Sequence, residues 1–347
     1  MEQVKPKYYA PETVITKNRN INYIVGARSI GKTYGFKKFL LSQAIKGKGK
    51  FIYLRRTKVQ VESITDFFGE VLQEPSLSSH VFKQKGNRLY AADTKNENDV
   101  WNWEVIGIMY GMSEVNKIRS IEYPDYKYLM FEEFLPDQRG QFYKKEVNIF
   151  LDILWTIFRN RDFQVFALSN ATVLHNPYFR AMDIVPNVFQ EITYSDSKSA
   201  LVQILESSEE WLEYMNTTPM GKLVKGTEYE EFSMGNKFKD NDNALVERKT
   251  RAAKNVAIFT MLGENIGVWY DKYTNYIYFS EDYNPTIKVK FGFYPEDYDE
   301  ENVSYRELFN SRVLDMIIAA RRNNRIRYTS AKAKAISLDG LERIRVF

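Results

Sequence analysis

Eight residues, Gly26-Ala27-Arg28-Ser29-Ile30-Gly31-Lys32-Thr33, constrain this chain more than any other feature. They follow the apolar run Ile21-Asn22-Tyr23-Ile24-Val25 and precede a segment with the pattern of a helix, Lys32–Ala44. Gly, four residues, Gly, Lys and Ser/Thr form a phosphate-binding pattern in which each position has a job. Gly26 and Gly31 let the backbone wrap a phosphate with no Cβ in the way. The N–H groups of the loop, through Ala27, Arg28, Ser29 and Ile30, point at the anion together with the following helix N-terminus. Lys32 brings a point charge to the β/γ-phosphates, and Thr33 offers a hydroxyl to Mg²⁺, so ATP and Mg²⁺ are the expected ligands. The rival reading is a Gly-containing strand-to-helix turn that binds nothing. Arg28 either adds charge toward a phosphate or faces solvent.

Binding alone is not hydrolysis, which needs a carboxylate to organise Mg²⁺ and a group to orient water. Tyr128-Leu129-Met130-Phe131 reads as an apolar strand ending in Glu132-Glu133. Glu132 is placed to hold Mg²⁺ and Glu133 to polarise the attacking water. Two adjacent carboxylates at a buried strand end are costly without a cation, which makes the pair informative. Phe163–Asn170 reads as another buried strand, and Asn170 at its end is a candidate sensor of the γ-phosphate. Phe158-Arg159-Asn160-Arg161 ends the helix before it. Cations there suit the helix dipole. The functional alternative is an arginine finger reaching a neighbour's γ-phosphate, with Arg159 preferred over Arg161 because Asp162 can neutralise one of the two.

At 347 residues, 44% hydrophobic and 15% aromatic, the chain is expected to form two domains with a sizeable core. It has no cysteine and only His80 and His175, which excludes disulfides, thiolate catalysis and multi-histidine metal sites. The N-terminal MEQVKPKYYAPET lacks the apolar stretch of a signal peptide, and no run approaches the ~18 apolar residues of a membrane span. The chain is therefore read as soluble and cytoplasmic, with no membrane partner. A net charge of +4 says little, but its distribution says more. No acid lies between Asp315 and Asp339, whereas Arg321, Arg322, Arg325, Arg327, Lys332 and Lys334 do, as suits either a polyanion or a solvated helix face.

Strand-like runs at Ile21–Val25, Phe51–Leu54, Val105–Tyr110, Tyr128–Phe131 and Gln164–Leu168 alternate with helical stretches at Lys32–Ala44, Val59–Val71 and Glu146–Phe158. This predicts an α/β sheet with helices on both faces. His80–Ala92 has the look of an inserted hairpin. Asp196–Met215 has a helical pattern, followed by a turn-rich join at Asn216–Gly221. After Gly226 come three close strand runs, Val256–Leu262, Gly267–Asp271 and Tyr276–Ser280, and then an amphipathic helix, Tyr305–Asn323. The expected layout is a P-loop ATPase domain at 1–195, a small helical linker domain at 196–225 and an α+β domain at 226–347. A strand between the acidic-pair strand and the chain's exit suits the additional-strand (ASCE) class of P-loop NTPases.

Taken together, INYIVGARSIGKTY, FIYLRR at Phe51–Arg56, FEEF at Phe131–Phe134, FRNR at Phe158–Arg161, LSNA at Leu168–Ala171, NPYF at Asn176–Phe179 and GTEYEEFSMGNKF from Gly226 resemble the DNA-packaging ATPases of small phi29-like tailed phages. These are compact relatives of the large terminase subunits. The resemblance implies Lys32 and Thr33 as nucleotide and Mg²⁺ residues, and Glu132 where the family usually has Asp. It implies Glu133 as catalytic glutamate and Arg159 as a finger acting in trans within a homo-oligomeric ring, a pentamer by resemblance. The ring sits on the portal of an empty prohead in the host cytoplasm, drives double-stranded DNA inward and is absent from the mature virion. In some relatives a structural RNA takes part. Arg55 and Arg56 match basic residues near subunit contacts and the pore, and are candidate DNA contacts along with the C-terminal arginines. Lys117 and Arg119 fall where the family has basic interface residues.

The family's C-terminal domain is RNase H-like without its metal site. Here Val256–Leu262, the opening strand, has no carboxylate, and Asp271 and Asp282 fall at strand ends where turn duty is the simpler role. That disfavours the runner-up, a complete terminase with an active nuclease. A non-packaging AAA-like translocase is a third possibility. A nucleotide clamp without turnover is a fourth, and Glu132/Glu133 argue against it.

Overall fold

A computed structural model describes residues 8–58, 68–136, 142–143, 145–170, 176–184, 186, 190–205, 207–227, 246–261, 263–300 and 302–344. The chain divides into two compact units, residues 1–172 with 177–238, and 173–176 with 239–347.

In the first unit, strands β1 (Ile21–Gly26), β2 (Lys50–Arg55), β3 (Val81–Lys85), β4 (Arg88–Ala92), β5 (Glu104–Gly111), β6 (Tyr126–Glu132), β7 (Gln164–Ser169), β8 (Ile192–Tyr194) and β9 (Ala200–Leu205) form one sheet. Their order is β3-β4-β5-β2-β6-β7-β1-β9-β8. The six strands from β5 to β9 in that order are mutually parallel, and the hairpin β3-β4 and the short β8 add antiparallel edges. Parallel strands covered on both faces read as continuous apolar runs. Every residue of β1 is buried, and so is all of β6 except Lys127. The helix Lys32–Ile45 packs Phe36, Leu40 and Leu41 into a core shared with Phe51, Met130 and Phe166. The helix Glu146–Phe158 contributes Phe150, and Phe131 stacks on its ring at 5.4 Å. The strand order places β7 between β1 and β6.

One expected helix is corrected. Residues 200–205 of the Asp196–Met215 segment form β9, hydrogen-bonded parallel to β1, so the sheet continues past the expected boundary at 195/196. Leu201, Ile204 and Leu205 fit a helical spacing, but a short apolar run buried on both faces of a strand looks the same. The helix starts later, at Glu209–Thr217, where the Ser208 hydroxyl accepts the Trp211 N–H at 3.2 Å. The expected turn-rich join is partly a second helix, Pro219–Val224, capped by Thr218 and with proline at its first position. Of the Val59–Val71 helix, 59–67 lie outside the described residues and Gly69–Leu72 is helical.

The second unit carries β10 (Lys254–Met261), β11 (Glu264–Asp271), β12 (Tyr276–Ser280), β13 (Lys290–Gly292), β14 (Val303–Ser304) and β15 (Ile326–Tyr328). They are ordered β14-β13-β10-β11-β12-β15. The first three are an antiparallel meander, and β13, β14 and β15 join in parallel. The amphipathic helix expected over Tyr305–Asn323 is divided at Ser311 into a 3-10 helix, Tyr305–Asn310, and an α-helix, Arg312–Arg322. Ile317 and Leu308 seal this core with Phe259, Val268 and Phe279. Most of the GTEYEEFSMGNKF match, 228–238, lies outside the described residues.

Candidate nucleotide site

The loop after β1 carries positive φ at Ser29 (63°) and Gly31 (90°), the curl that turns its N–H groups inward. Both glycines are constrained, Gly26 by space and Gly31 chiefly by its left-handed backbone. A Cβ on Gly26 would stand 2.7 Å from Leu205 Cβ on β9, and one on Gly31 would meet the Tyr8 ring at 3.0 Å. The buried Lys32 ammonium folds back and donates to the Gly26 and Ala27 carbonyls at 2.9 and 2.5 Å. Burial lowers its pKa to about 7; Glu132 opposes that shift and the nearby Arg28 adds to it. An arriving polyphosphate would restore the charged form and give the ammonium a better partner than two neutral carbonyls.

The end of β6 meets this loop. Thr33 Oγ1 donates to Glu132 Oε1 at 2.6 Å. The other oxygen of Glu132 accepts from the Tyr53 hydroxyl and from Arg55 Nη2 at 2.9 Å. Arg55 Nη1 reaches Glu133 Oε2 at 2.6 Å, so one guanidinium bridges both acids. Glu133 sits at φ 56°, a conformation costly for a non-glycine residue, which turns its half-exposed carboxylate off the strand line. The adjacency of two carboxylates called for a cation, and Arg55 supplies it.

Lys32, Thr33, Glu132 and Glu133 line one cavity of about 570 Å³ with Arg28, Ser29, Ile30, Ser169 and Asn170, while Tyr53 and Arg55 stand behind the acids. Arg28 is exposed at its rim. Sequence reading missed Tyr8, Tyr34, Tyr53 and Glu70. Tyr53 was findable, because it lies two residues before Arg55 and shares its face of β2. Tyr8 and Glu70 come from distant segments. Tyr9 N–H on the Ile30 carbonyl at 2.9 Å ties the N-terminal segment to the loop.

Arg159 and Arg161 have separated roles. Arg161 is committed to backbone, donating to the carbonyls of Phe158 (3.2 Å), Ile157, Tyr123 and Pro124. Arg159 is exposed, at φ 52°, and does not line the nucleotide cavity. It borders a second recess with Arg119, Asp152, Trp155, Thr156 and Asn160, where Arg119 pairs with Asp152 and Trp155 is 75% exposed. Lys117 is exposed and pairs with Glu114 at 2.8 Å.

Of the two arginines expected as DNA contacts after the second strand, Arg55 pairs with both acids and Arg56 is buried against Glu146. In the second unit Arg327 lies on the Tyr276 ring and pairs with Glu247 at 3.5 Å. Arg321, Arg322 and Arg325 are partly or fully exposed at and just after the C-terminal end of their helix.

A phosphate loop and an acid pair meeting at the ends of parallel strands place the first unit among the α/β P-loop nucleotide-using proteins. Residues 3–346 match the podovirus DNA encapsidation protein (Gp16) family, so the chain belongs to that family and its work is phage DNA packaging. It is 28% identical over 344 residues to the DNA packaging protein of Bacillus phage phi29, covering 99% of each chain. A chain of the phi29 viral genome packaging motor assembly superposes with a TM-score of 0.73 at 25% identity, over 98% of this chain and 100% of that one. The crystal structure of the N-terminal domain of the phi29 packaging ATPase gives a TM-score of 0.51 at 30% identity, over 58% of this chain and 98% of that one.

Proposed function

We propose that this chain is the ATP-hydrolysing motor that drives double-stranded DNA into a preformed prohead. The observation that carries the reading is the meeting of Lys32 and Thr33 with Glu132 and Glu133 in one cavity. Lys32 neutralises the β/γ-phosphates, Asn170 contacts the γ-phosphate, and Glu133 orients water for in-line attack. The residues fit Mg²⁺, since Thr33 Oγ1 and Glu132 Oε1 are hard oxygen donors already 2.6 Å apart. When bound there, the ion offsets charge developing on the phosphate oxygens. Arg159 serves the site of a neighbouring copy, and its absence from the lining of its own cavity supports that role.

The same reading extends to the assembly. The position of β7 between β6 and β1 supports the additional-strand class. The meander followed by β13 beside β10 and β14 beside β13 supports an RNase H-like frame. A nuclease-dead site is favoured because Thr250 and the Tyr273 N–H occupy Asp271, while Lys249 and Ser280 occupy Asp282. The helices Glu209–Thr217 and Pro219–Val224 then serve as the linker. We take the ring to be a pentamer at the portal vertex in the infected cell, with Arg321, Arg322 and Arg325 as candidates for DNA phosphates and a structural RNA as a further partner. Phosphate release from ATP with double-stranded DNA, with and without empty proheads, tests the motor. Stimulation by both is expected, and wild-type turnover in Glu133→Gln would overturn the assignment of the water-orienting group.

A further inference from the structure

Arg56 follows the arginine that bridges the catalytic acids, yet its guanidinium leaves the site on the other side of β2. Nε and Nη2 donate to the two oxygens of Glu146 at 3.0 and 2.6 Å. Glu146 opens the helix that ends at Phe158, directly before Arg159, and its side chain is 1% exposed. Its carboxylate is filled on every side: the Tyr178 hydroxyl donates at 2.8 Å and the Tyr143 N–H at 2.7 Å, while the Tyr143 ring lies 4.7 Å from the guanidinium.

A buried ion pair of this kind is a poor source of stability, because desolvation offsets most of the attraction and apolar side chains of like volume do as well or better. What it supplies is direction. The apolar face of the helix (Phe150, Ile153, Ile157) holds it against the sheet but tolerates sliding and rotation, whereas a two-pronged charged hydrogen bond does not. The helix has 13 residues, so it is about 20 Å long, and a tilt of about 3° at its start moves its end by about 1 Å.

We propose that Arg56 and Glu146 are positioning residues: a buried clasp that sets the direction of the Glu146–Phe158 helix and thereby delivers Arg159 to the neighbouring subunit. The clasp rests on the reading of Arg159 as acting in trans. It also joins the two halves of the reaction within one subunit, since Arg55 on its own acids and Arg56 on the finger helix are consecutive residues.

The test is a mixed-ring ATPase assay on prohead-assembled full-length subunits stimulated by DNA. The double variant Arg56→Met/Glu146→Leu removes the charges and keeps the volume. By itself it leaves the Tyr178 hydroxyl and the Tyr143 N–H without their acceptor and should melt somewhat lower than the wild type, yet keep its KM for ATP within about twofold and lose about 100-fold in kcat, the scale of a 1 Å misplacement. Mixed with Glu133→Gln, whose finger is intact, it should regain turnover; mixed with Arg159→Ala it should not. Wild-type kcat, or no rescue by Glu133→Gln, overturns the clasp. The control mixture of Arg159→Ala with Glu133→Gln separates the two readings. If it is active while the double variant fails to be rescued, the clasp falls and the finger stands. If the control is inactive, the trans finger falls and takes the clasp's purpose with it. Should the double variant fail to assemble, Glu146→Gln replaces it; it keeps the shape, loses the charge and should show the same rescue pattern on a loss of about tenfold, with unaltered kcat again the overturning result.

Discussion

Both units place carboxylates at the ends of β-strands, and the two sets live under opposite conditions. Glu132 and Glu133 end β6 against a buried lysine and a hydroxyl, held by one shared arginine. Asp271 and Asp282 are each occupied locally, the first by a turn N–H and Thr250, the second by Lys249 and Ser280. Hydrogen bonds to the turn N–H and Thr250 hold Asp271 below the usual carboxylate range; for Asp282, the Lys249 and Ser280 bonds outweigh an opposing desolvation. A carboxylate becomes a site when its cation can be exchanged for a ligand, and a turn when its partners are its own neighbours.

The largest test of that contrast is Glu133→Gln, which should lower ATP turnover by about 10²–10⁴-fold with ATP binding retained, read by steady-state phosphate release. Next, Arg55→Ala should lower the stability of the nucleotide-free protein by about 3 kcal/mol, because Glu132 is left buried without its counterion. Mg²⁺ alone should recover most of that loss in thermal melts, and an equal loss with and without Mg²⁺ would break the idea that the acids need any cation. A subtler effect lies at Lys32. Its folded pKa, about 7, is below the ordinary 10.5, so the unfolded chain binds more protons between those values and stability rises with pH across that window. Phosphates restore the charged form, so ATP binding should take up close to one proton at pH 8 to 9, visible as a binding enthalpy that depends on the buffer's ionisation heat. Lys32→Arg should abolish that uptake. The smallest effect belongs to the second unit: Asp271→Asn and Asp282→Asn should leave ATP turnover within about twofold, the scale of an isolated substitution away from a site. Mg²⁺- or Mn²⁺-dependent DNA cleavage by the wild type that either change removes would erase the difference between the two acid sets.

Legibility followed burial. The strands β1, β2, β5, β6 and β7 were readable because a parallel sheet covered on both faces writes them as apolar runs. The helix Glu146–Phe158 matched its expected bounds because its buried residues keep the helical period. β9 was unreadable for the same reason in reverse: Leu201, Ile204 and Leu205 fit a helical period and equally a strand covered on both faces, and only pairing with β1 decides between them. Gly26 illustrates the site. The motif required a glycine for phosphate access, while the structure adds a second requirement, the approach of Leu205.

The sequence by itself determined the phosphate loop, the acid pair and the family, since these are local patterns whose chemistry depends on neighbours a few residues apart. Tertiary structure alone decided the uses of the four arginines at 55, 56, 159 and 161. In sequence they are two similar basic pairs. In the fold one bridges the acids, one is buried on Glu146, one stands exposed and one is consumed by backbone carbonyls. An arginine's role is set by which acceptors its long side chain can reach, and those acceptors arrive from segments up to 90 residues away.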